Sequence, residues 1–291
     1  MDLIQLEMFR AVAAHKSVAG AAHALHRVPS NLTTRLKQLE SDLGVDLFIR
    51  ENNRLRLSAA GHNFLSYAER ILDLVDESRR VVAGREPAGR FPLGAMESVA
   101  AVRIPSVLAE YNLRYPQVEL DLSTGPSGAM IQGVLDGHVE AALVDGPINH
   151  PTLSGVPIWE EDMMVIASAQ HHAIRRGRDA AGEVAYVFRE NCSYRHHLLK
   201  WFAHDGAVPG KLREMESYHG ILACVSAGGG VAIIPRSMLE SMPGHQAVGA
   251  WPMTGAFAFA KIWLIWRTET VSPARERFLD LLRETYPPDG T

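Results

Sequence analysis

The chain has 291 residues, 47% of them hydrophobic and 21% charged, with two cysteines, Cys192 and Cys224. That length suggests two domains with cores of their own and excludes a disulfide scaffold; the thiols fit a reducing compartment. A net charge of −4 excludes a protein that coats nucleic acid along its whole length.

Residues 1–7 show no basic segment leading into an apolar one, so no signal peptide is expected and the cytoplasm is the expected location. Leu3, Leu6, Phe9, Val12 and Ala13 recur at helical spacing. Ser17 is placed to cap a second, alanine-rich helix over residues 18–26, whose small side chains let a neighbour approach closely. A third helix is predicted from Pro29, through Leu32, Leu36, Leu39 and Leu43, to the stop signal Gly44. Residues 45–49 and 54–57 read as two short strands around Glu51-Asn52-Asn53. Helix, helix-turn-helix and hairpin make a winged helix-turn-helix over residues 1–58. Ser58 is then placed to cap a long helix reaching about residue 83. Its apolar positions Phe64, Ala68, Ile71, Val75 and Val82 alternate in the 4-3 manner of a coiled-coil seam, with Ser78 at the missing step. The alternative is a surface helix packed on its own domain. The seam is the expectation, with Phe64, Ile71 and Val75 joining two copies and dimers pairing into a tetramer. The glycines and proline of residues 84–89 end the helix, closing a linker over residues 59–90.

From Phe91 strands alternate with helices. Strands are predicted over 92–95, 118–123, 141–144, 162–167, 185–188, 212–216, 231–234 and 262–266. Helices are predicted over 100–115, 129–136, 194–204, 220–227, 237–241 and 273–286. This is α/β architecture with two lobes, the first over about 91–161 and 268–291 and the second over about 162–267. Crossings near residues 159–162 and 266–268 would serve as the hinge.

Charge divides along the chain. Residues 1–90 hold 13 Lys and Arg against 11 Asp and Glu, a net of +2; residues 91–291 hold 16 against 22, a net of −6. A basic module joined to an acidic one follows. In the third helix the leucines face inward, while Ser30, Asn31, Thr33, Thr34, Arg35, Lys37 and Gln38 lie on the other faces. These residues reach base edges and phosphates, the helix N-terminus at Pro29 offers unpaired backbone N–H groups to a phosphate, and Ser17, at the start of the second helix, is counted with them as DNA-binding. Arg50, Arg54 and Arg56 place positive charge on the wing. Spacing alone would fit any amphipathic helix; the ordered set of elements turns the balance toward double-stranded DNA.

Three stretches carry a resemblance. Leu6-x-x-Phe9-x-Ala11-Val12-Ala13, Ser17-x-x-x-Ala21-Ala22-x-Ala24-Leu25-His26 and Leu36-x-x-Leu39-Glu40-x-x-Leu43-Gly44-Val45-x-Leu47-Phe48-x-Arg50 resemble the LysR-type transcriptional regulators. Leu57-Ser58-x-Ala60-Gly61 continues the match, and residues 227–235, Ala-Gly-Gly-Gly-Val-Ala-Ile-Ile-Pro, extend it into the second half. The resemblance implies a linker helix, a two-lobed effector domain of periplasmic-binding-protein type, operator DNA and RNA polymerase as partners, and no enzyme activity or cofactor. The chain departs from the common pattern at Pro29-Ser30-Asn31 and Thr33-Thr34, so its operator is expected to be its own. Residues 27–35, 123–128 and 215–220 are further similar to a LysR-type subgroup linked to putrescine utilisation.

In parallel α/β lobes, ligands sit at the carboxyl ends of strands near helix N-termini. That rule selects Glu97 and Ser98, then Ser127 and Gly128 with Ser127 as a helix cap, then Asp145. In the second lobe it selects Cys192 and Ser193, then Tyr218 and His219. Each serine taken singly would pass for an ordinary cap; as a set they converge on one cleft. Helix N-termini favour a carboxylate, whereas Glu97, Asp145 and Glu216 favour an amine and Tyr218 offers a π face. An amine, an amino acid and a carboxylate all remain open. Adjacent histidines His171-His172 and His196-His197 point apart and do not form a metal pair. Gly228-Gly229-Gly230 follows a helix and lacks the phosphate-binding lysine. The two cysteines sit in no Cys-x-x-Cys pair and read as incidental thiols. A small-molecule enzyme carrying a DNA-binding-like module is the competing class, though no Gly-x-Ser-x-Gly or metal spacing supports it. A periplasmic solute-binding protein would need the signal peptide.

Overall fold

In a computed structural model of the chain, residues 1–51, 54–82 and 87–287 are described. The chain divides into two compact units, Met1–Arg85 and Glu86–Thr291.

The first unit holds α1 (Leu3–His15), α2 (Val18–Ala24), α3 (Pro29–Leu43), β1 (Phe48–Glu51), β2 (Arg54–Leu57) and α4 (Ala59–Val82). Its helix starts are set by side chains. Asp2 forms a reciprocal cap with Gln5, and Gly20 N donates to Ser17 Oγ at 3.3 Å. Gly44 ends α3 in the left-handed region, φ 71°, where a side chain would be strained. Glu40 Oε1 then accepts the backbone N–H groups of Leu47 and Phe48 at 2.8 and 3.1 Å, tying the wing to α3. The core gathers Leu6, Phe9 and Val12 from α1, Ala21 and Ala22 from α2, and Leu32, Leu36 and Leu39 from α3.

Ala68 and Leu72 of α4 belong to that same core, and the Phe64 ring packs on Phe9 at 5.2 Å between centroids. This corrects the expected seam. Phe64 and Ala68 face the unit's own α1, because the module needs a lid for its apolar floor. The outward apolar stripe of α4 is instead Tyr67, Ile71 and Leu74, 60%, 37% and 64% exposed, with Val75 half-buried beside it. The helix also packs as part of the N-terminal unit and does not stand apart as a separate linker. Residues 83–86 of the expected hinge lie outside the described residues.

In chain order the second unit holds β3 (Gly89–Ala95), a π-turn (Val99–Arg103), α5 (Pro105–Arg114), β4 (Val118–Thr124), α6 (Ser127–Asp136), β5 (Ala141–Gly146) and β6 (Leu153–Ser168). Then follow β7 (Ala185–Val187), α7 (Ser193–His204), β8 (Leu212–Glu214), α8 (Tyr218–Ser226), β9 (Ala232–Pro235), α9 (Arg236–Ser241), β10 (Val248–Pro252), β11 (Phe259–Arg267) and α10 (Pro273–Thr285). β3 is parallel to both β4 and β5. The sheet order is β10-β6-β11-β5-β3-β4, with β9 also on β6. β6 changes partners along its length: residues up to Asp162 pair with β11, and Met163 onward pairs with β9 and β10. One long strand therefore serves both lobes. β11 pairs with β5 and the first half of β6, so it belongs to the first lobe, and the expected lobe boundary at 267/268 moves to about Ala258. The expected crossing at 266–268 moves with it. Pro105, unable to donate a backbone hydrogen bond, splits the expected 100–115 helix into the π-turn and α5.

Candidate DNA-binding face and effector cavity

On α3, Ser30, Asn31, Thr33, Thr34, Lys37 and Gln38 are exposed, and Pro29 holds the first helical position. The two threonines give their hydroxyl protons back to the helix: Thr33 Oγ1 donates to Pro29 O and Thr34 Oγ1 to Ser30 O, both at 3.0 Å. They therefore present methyl groups and acceptor lone pairs. Arg35 is half-buried and its guanidinium reaches Asp2 Oδ2 at 3.2 Å, so it also joins α3 to the start of α1. Ser17 keeps its hydroxyl proton while its oxygen caps α2. Val28, just before α3, is 64% exposed. On the wing Arg56 is exposed and pairs in register with Ile49. Arg50 and Arg54 lie in β1 and β2; their side chains lie outside the described residues, as do Asn52 and Asn53.

The second unit contains a cavity of about 250 Å³ between its lobes. The first lobe contributes Met96 and Glu97 after β3, Thr124 at the end of β4, and Gly125, Pro126 and Ser127 after it. The second contributes Phe188 and Arg189 after β7, Cys192 and Tyr194 at the start of α7, and Glu216 and Tyr218 at the start of α8. Of the nine residues selected from sequence, Glu97, Ser127, Cys192 and Tyr218 line this cavity. Ser98, Gly128, Asp145, Ser193 and His219 do not, although four of them touch those that do or influence them electrostatically. Thr124, Gly125, Pro126, Phe188, Arg189 and Tyr194 were missed. All but Tyr194 obey the strand-end rule and could have been taken from it.

Ser127 is not the cap of α6. Pro126 occupies that position with extended backbone, and Ser127 is the first helical residue. Its hydroxyl turns inward, 3.2 Å from Ser193 Oγ, 2.8 Å from Met96 Sδ and 3.4 Å from the backbone N–H of Asp145. Beside it Gly128 N donates to Asn191 O at 3.0 Å. The lobes thus touch directly at the edge of the cavity. Asp145 stands behind this contact. Burial pushes its carboxyl above the ordinary value, against the pull of Ser193 and His197. Burial likewise raises Glu97, opposed by His219. Arg189 and Glu216 are hydrogen-bonded to each other at the rim, so the cavity carries both signs of charge. Deeper in, Ser98 and Tyr194 are each 3% exposed, and the Ser98 hydroxyl interacts with both the Tyr194 and Tyr218 hydroxyls. Burial raises the Cys192 thiol even though the amides of Tyr194 and Arg195 face it, which keeps it protonated and slow to react. The rings of His171 and His172 stack at 4.2 Å instead of pointing apart, and the histidine pairs serve backbone carbonyls and a carboxylate: His196 meets Cys192 O, His197 meets Phe257 O, and His171 bridges to Glu183 at 2.6 Å.

A winged helix-turn-helix with a polar reading face, followed by two α/β lobes around a small cavity, defines a ligand-responsive DNA-binding regulator. Comparison with known proteins agrees with that class. Residues 3–62 match the model for the "Bacterial regulatory helix-turn-helix protein, lysR family", and residues 84–287 match the "LysR substrate binding domain". The chain belongs to the LysR family of transcriptional regulators. It is 35% identical over 288 residues to the transcriptional regulator GltR of Bacillus subtilis (strain 168), covering 98% of this chain and 97% of that one. It is 30% identical to YofA of the same organism, covering 98% and 99%. Among solved structures it is similar to full-length CbnR complexed with its target DNA, with TM-score 0.67, 25% identity and coverage of 98% and 100%. These relatives are regulators, which favours that reading over a small-molecule enzyme. The narrower likeness to putrescine-utilisation regulators finds no support among them. Among the described residues no helix is long and apolar enough to cross a membrane.

Proposed function

We propose that this regulator reads operator DNA with α3, anchors on phosphates through the wing arginines Arg50, Arg54 and Arg56, and answers to a small molecule carrying both an amine and a carboxylate. It acts in the cytoplasm as a dimer of dimers, with RNA polymerase as its downstream partner. Pairing runs through Tyr67, Ile71 and Leu74 of α4, because an exposed apolar stripe of that kind on a helix is costly without a cover. Ser30, Asn31, Lys37 and Gln38 contact base edges or phosphates, and Val28 meets thymine methyls. Arg35 adds a contact while holding Asp2.

One observation carries the ligand reading: residues of opposite charge, Arg189 and the carboxylates Glu97 and Glu216, line one small cavity. A ligand with both charges exchanges the Arg189–Glu216 pair for its own contacts, its carboxylate on Arg189 and its amine on Glu216 and Glu97. The test is a thermal-shift screen of the full-length protein with amino acids, dicarboxylates and diamines, putrescine among them. Binding to the native state raises the midpoint. A rise with amino acids alone is expected. A rise with dicarboxylates or diamines alone would replace the mixed ligand with that class.

A further inference from the structure

We propose that Glu161 is a positioning residue for the effector response: it latches the two lobes at the strand they share, and the π-turn Val99–Arg103 ties that latch to the cavity wall. Glu161 sits on β6 just before the strand passes from β11 to β9. It is 2% exposed. Its carboxylate accepts four hydrogen bonds, from Arg103 Nε at 2.6 Å, Arg103 Nη2 at 3.0 Å, Trp159 Nε1 at 2.8 Å and Ser237 Oγ at 2.7 Å. Arg103 belongs to the first lobe, and Ser237, on α9, to the second. One buried charge is thus shared across the junction. A second pair, Arg236 with Asp162 at 3.2 Å, spans the same junction.

The geometry favours two discrete states over gradual bending. A bidentate arginine on a buried carboxylate is strong and directional, and removing one partner leaves an uncompensated buried charge. The latch therefore holds or lets go as a unit. Arg103 is fixed from behind, since Tyr286 Oη donates to its carbonyl at 2.6 Å and the Tyr286 ring packs on Trp159 at 4.7 Å.

The link to the cavity is short. Met96 and Glu97 line the cavity, Ser98 follows, and the π-turn runs from Val99 to Arg103. Single π-turns are costly and concentrate at functional positions. A ligand that moves Glu97 moves the start of this turn, and its end carries the guanidinium that grips Glu161.

Cys192 gives a readout of opening that needs neither DNA nor effector, because it lines the cavity and is 7% exposed. The experiment measures iodoacetamide alkylation of Cys192 in the full-length protein carrying Cys224→Ala. Glu161→Gln should raise the rate about tenfold, the scale expected when charge-assisted hydrogen bonds are lost. Ser237→Ala should raise it less. The rise should depend little on low urea, because lobe opening exposes far less surface than unfolding. Parent rates in both variants would overturn the proposal, as would a rise that follows urea steeply as global unfolding does. Should Glu161→Gln fail to fold, Ser237→Ala and Arg103→Lys decide by the same criteria. Failure here would leave the operator-binding reading standing, since the assay contains no DNA.

Discussion

Gly128 is a point of close contact between the lobes. A Cβ built there would lie 2.9 Å from both the Cβ and the backbone oxygen of Asn191, and a backbone atom cannot step aside cheaply. Gly128→Ala should therefore hold the lobes apart. The midpoint rise produced by the best ligand of the screen should be lost, while the affinity for operator DNA in a gel-shift titration stays near wild type. An intact ligand response would show that the contact is incidental. A second prediction concerns Asp145, whose carboxyl burial pushes above 3.8 in the folded protein. The native state then binds a proton more readily than the unfolded chain. Its contribution favours folding at low pH and is lost as pH rises through the raised value. Asp145→Asn removes that loss, so its thermal midpoint should exceed wild type near neutral pH, with the gap closing as pH falls toward 3.8. A constant gap across the range would assign the effect to packing instead. At this scale the sequence was only partly legible. A serine after proline at a strand end reads as a cap, yet Pro126 takes the cap's extended backbone and frees Ser127 to face its partners. No pattern in the chain announces that exchange.

At the scale of elements, α4 shows why spacing alone misassigns a face. Positions 64, 68, 71 and 75 and positions 67, 71 and 74 both fit helical repeats, and they share Ile71. Which stripe faces inward depends on α1, whose Phe9 offers the surface on which Phe64 packs. The two stripes separate by experiment. Phe64→Ala should cost about 3 kcal/mol of stability by leaving a cavity, with association unchanged. Leu74→Asp should do the reverse, lowering the mass seen by light scattering while the thermal midpoint of the folded chain holds. A monomeric wild-type protein would end the pairing role of this helix. Caps and stops were legible because single residues decide them: Ser17, Ser58 and Gly44 all act where expected, with Gly61 N donating to Ser58 Oγ at 2.9 Å. The predicted strand over 162–167 covers only the last part of β6, since Gly155 and Pro157 interrupt a strand pattern in its first half. In the structure Pro157 sits opposite Trp263, beside a register shift in the ladder, where a missing N–H is tolerated. β10 was missed for a like reason, since Gly249 and Pro252 mask a five-residue strand.

For the whole molecule, the family implies that two tasks, holding DNA and sensing a ligand, are carried by separate compact units of one chain. That division was legible from the shift in charge and from the change of pattern near residue 90. The shared strand was not, because its change of partners depends on β9, β10 and β11, far along the sequence. A ligand alters DNA binding only to the extent that it prefers one lobe arrangement over another. The residues that set this preference must touch both lobes, and Ser127 does so through Ser193 Oγ at 3.2 Å. Since Ser127 is not a cap, Ser127→Ala should leave α6 intact and lose only hydrogen bonds, a cost of about 1 kcal/mol that a protein of this size tolerates. Its lobes should separate more readily and a ligand should no longer draw them together. Footprinting of the full-length variant on its operator should then give the wild-type pattern without ligand and the same pattern with it, while wild-type protein changes its footprint on adding the ligand. Gln38→Ala should behave oppositely, weakening binding to the operator more than to scrambled DNA at every salt concentration, with the ligand-induced change preserved wherever binding remains. A ligand-dependent footprint in Ser127→Ala would place the sensing contact elsewhere on the cavity wall, with Arg189 and Glu216 next to be changed.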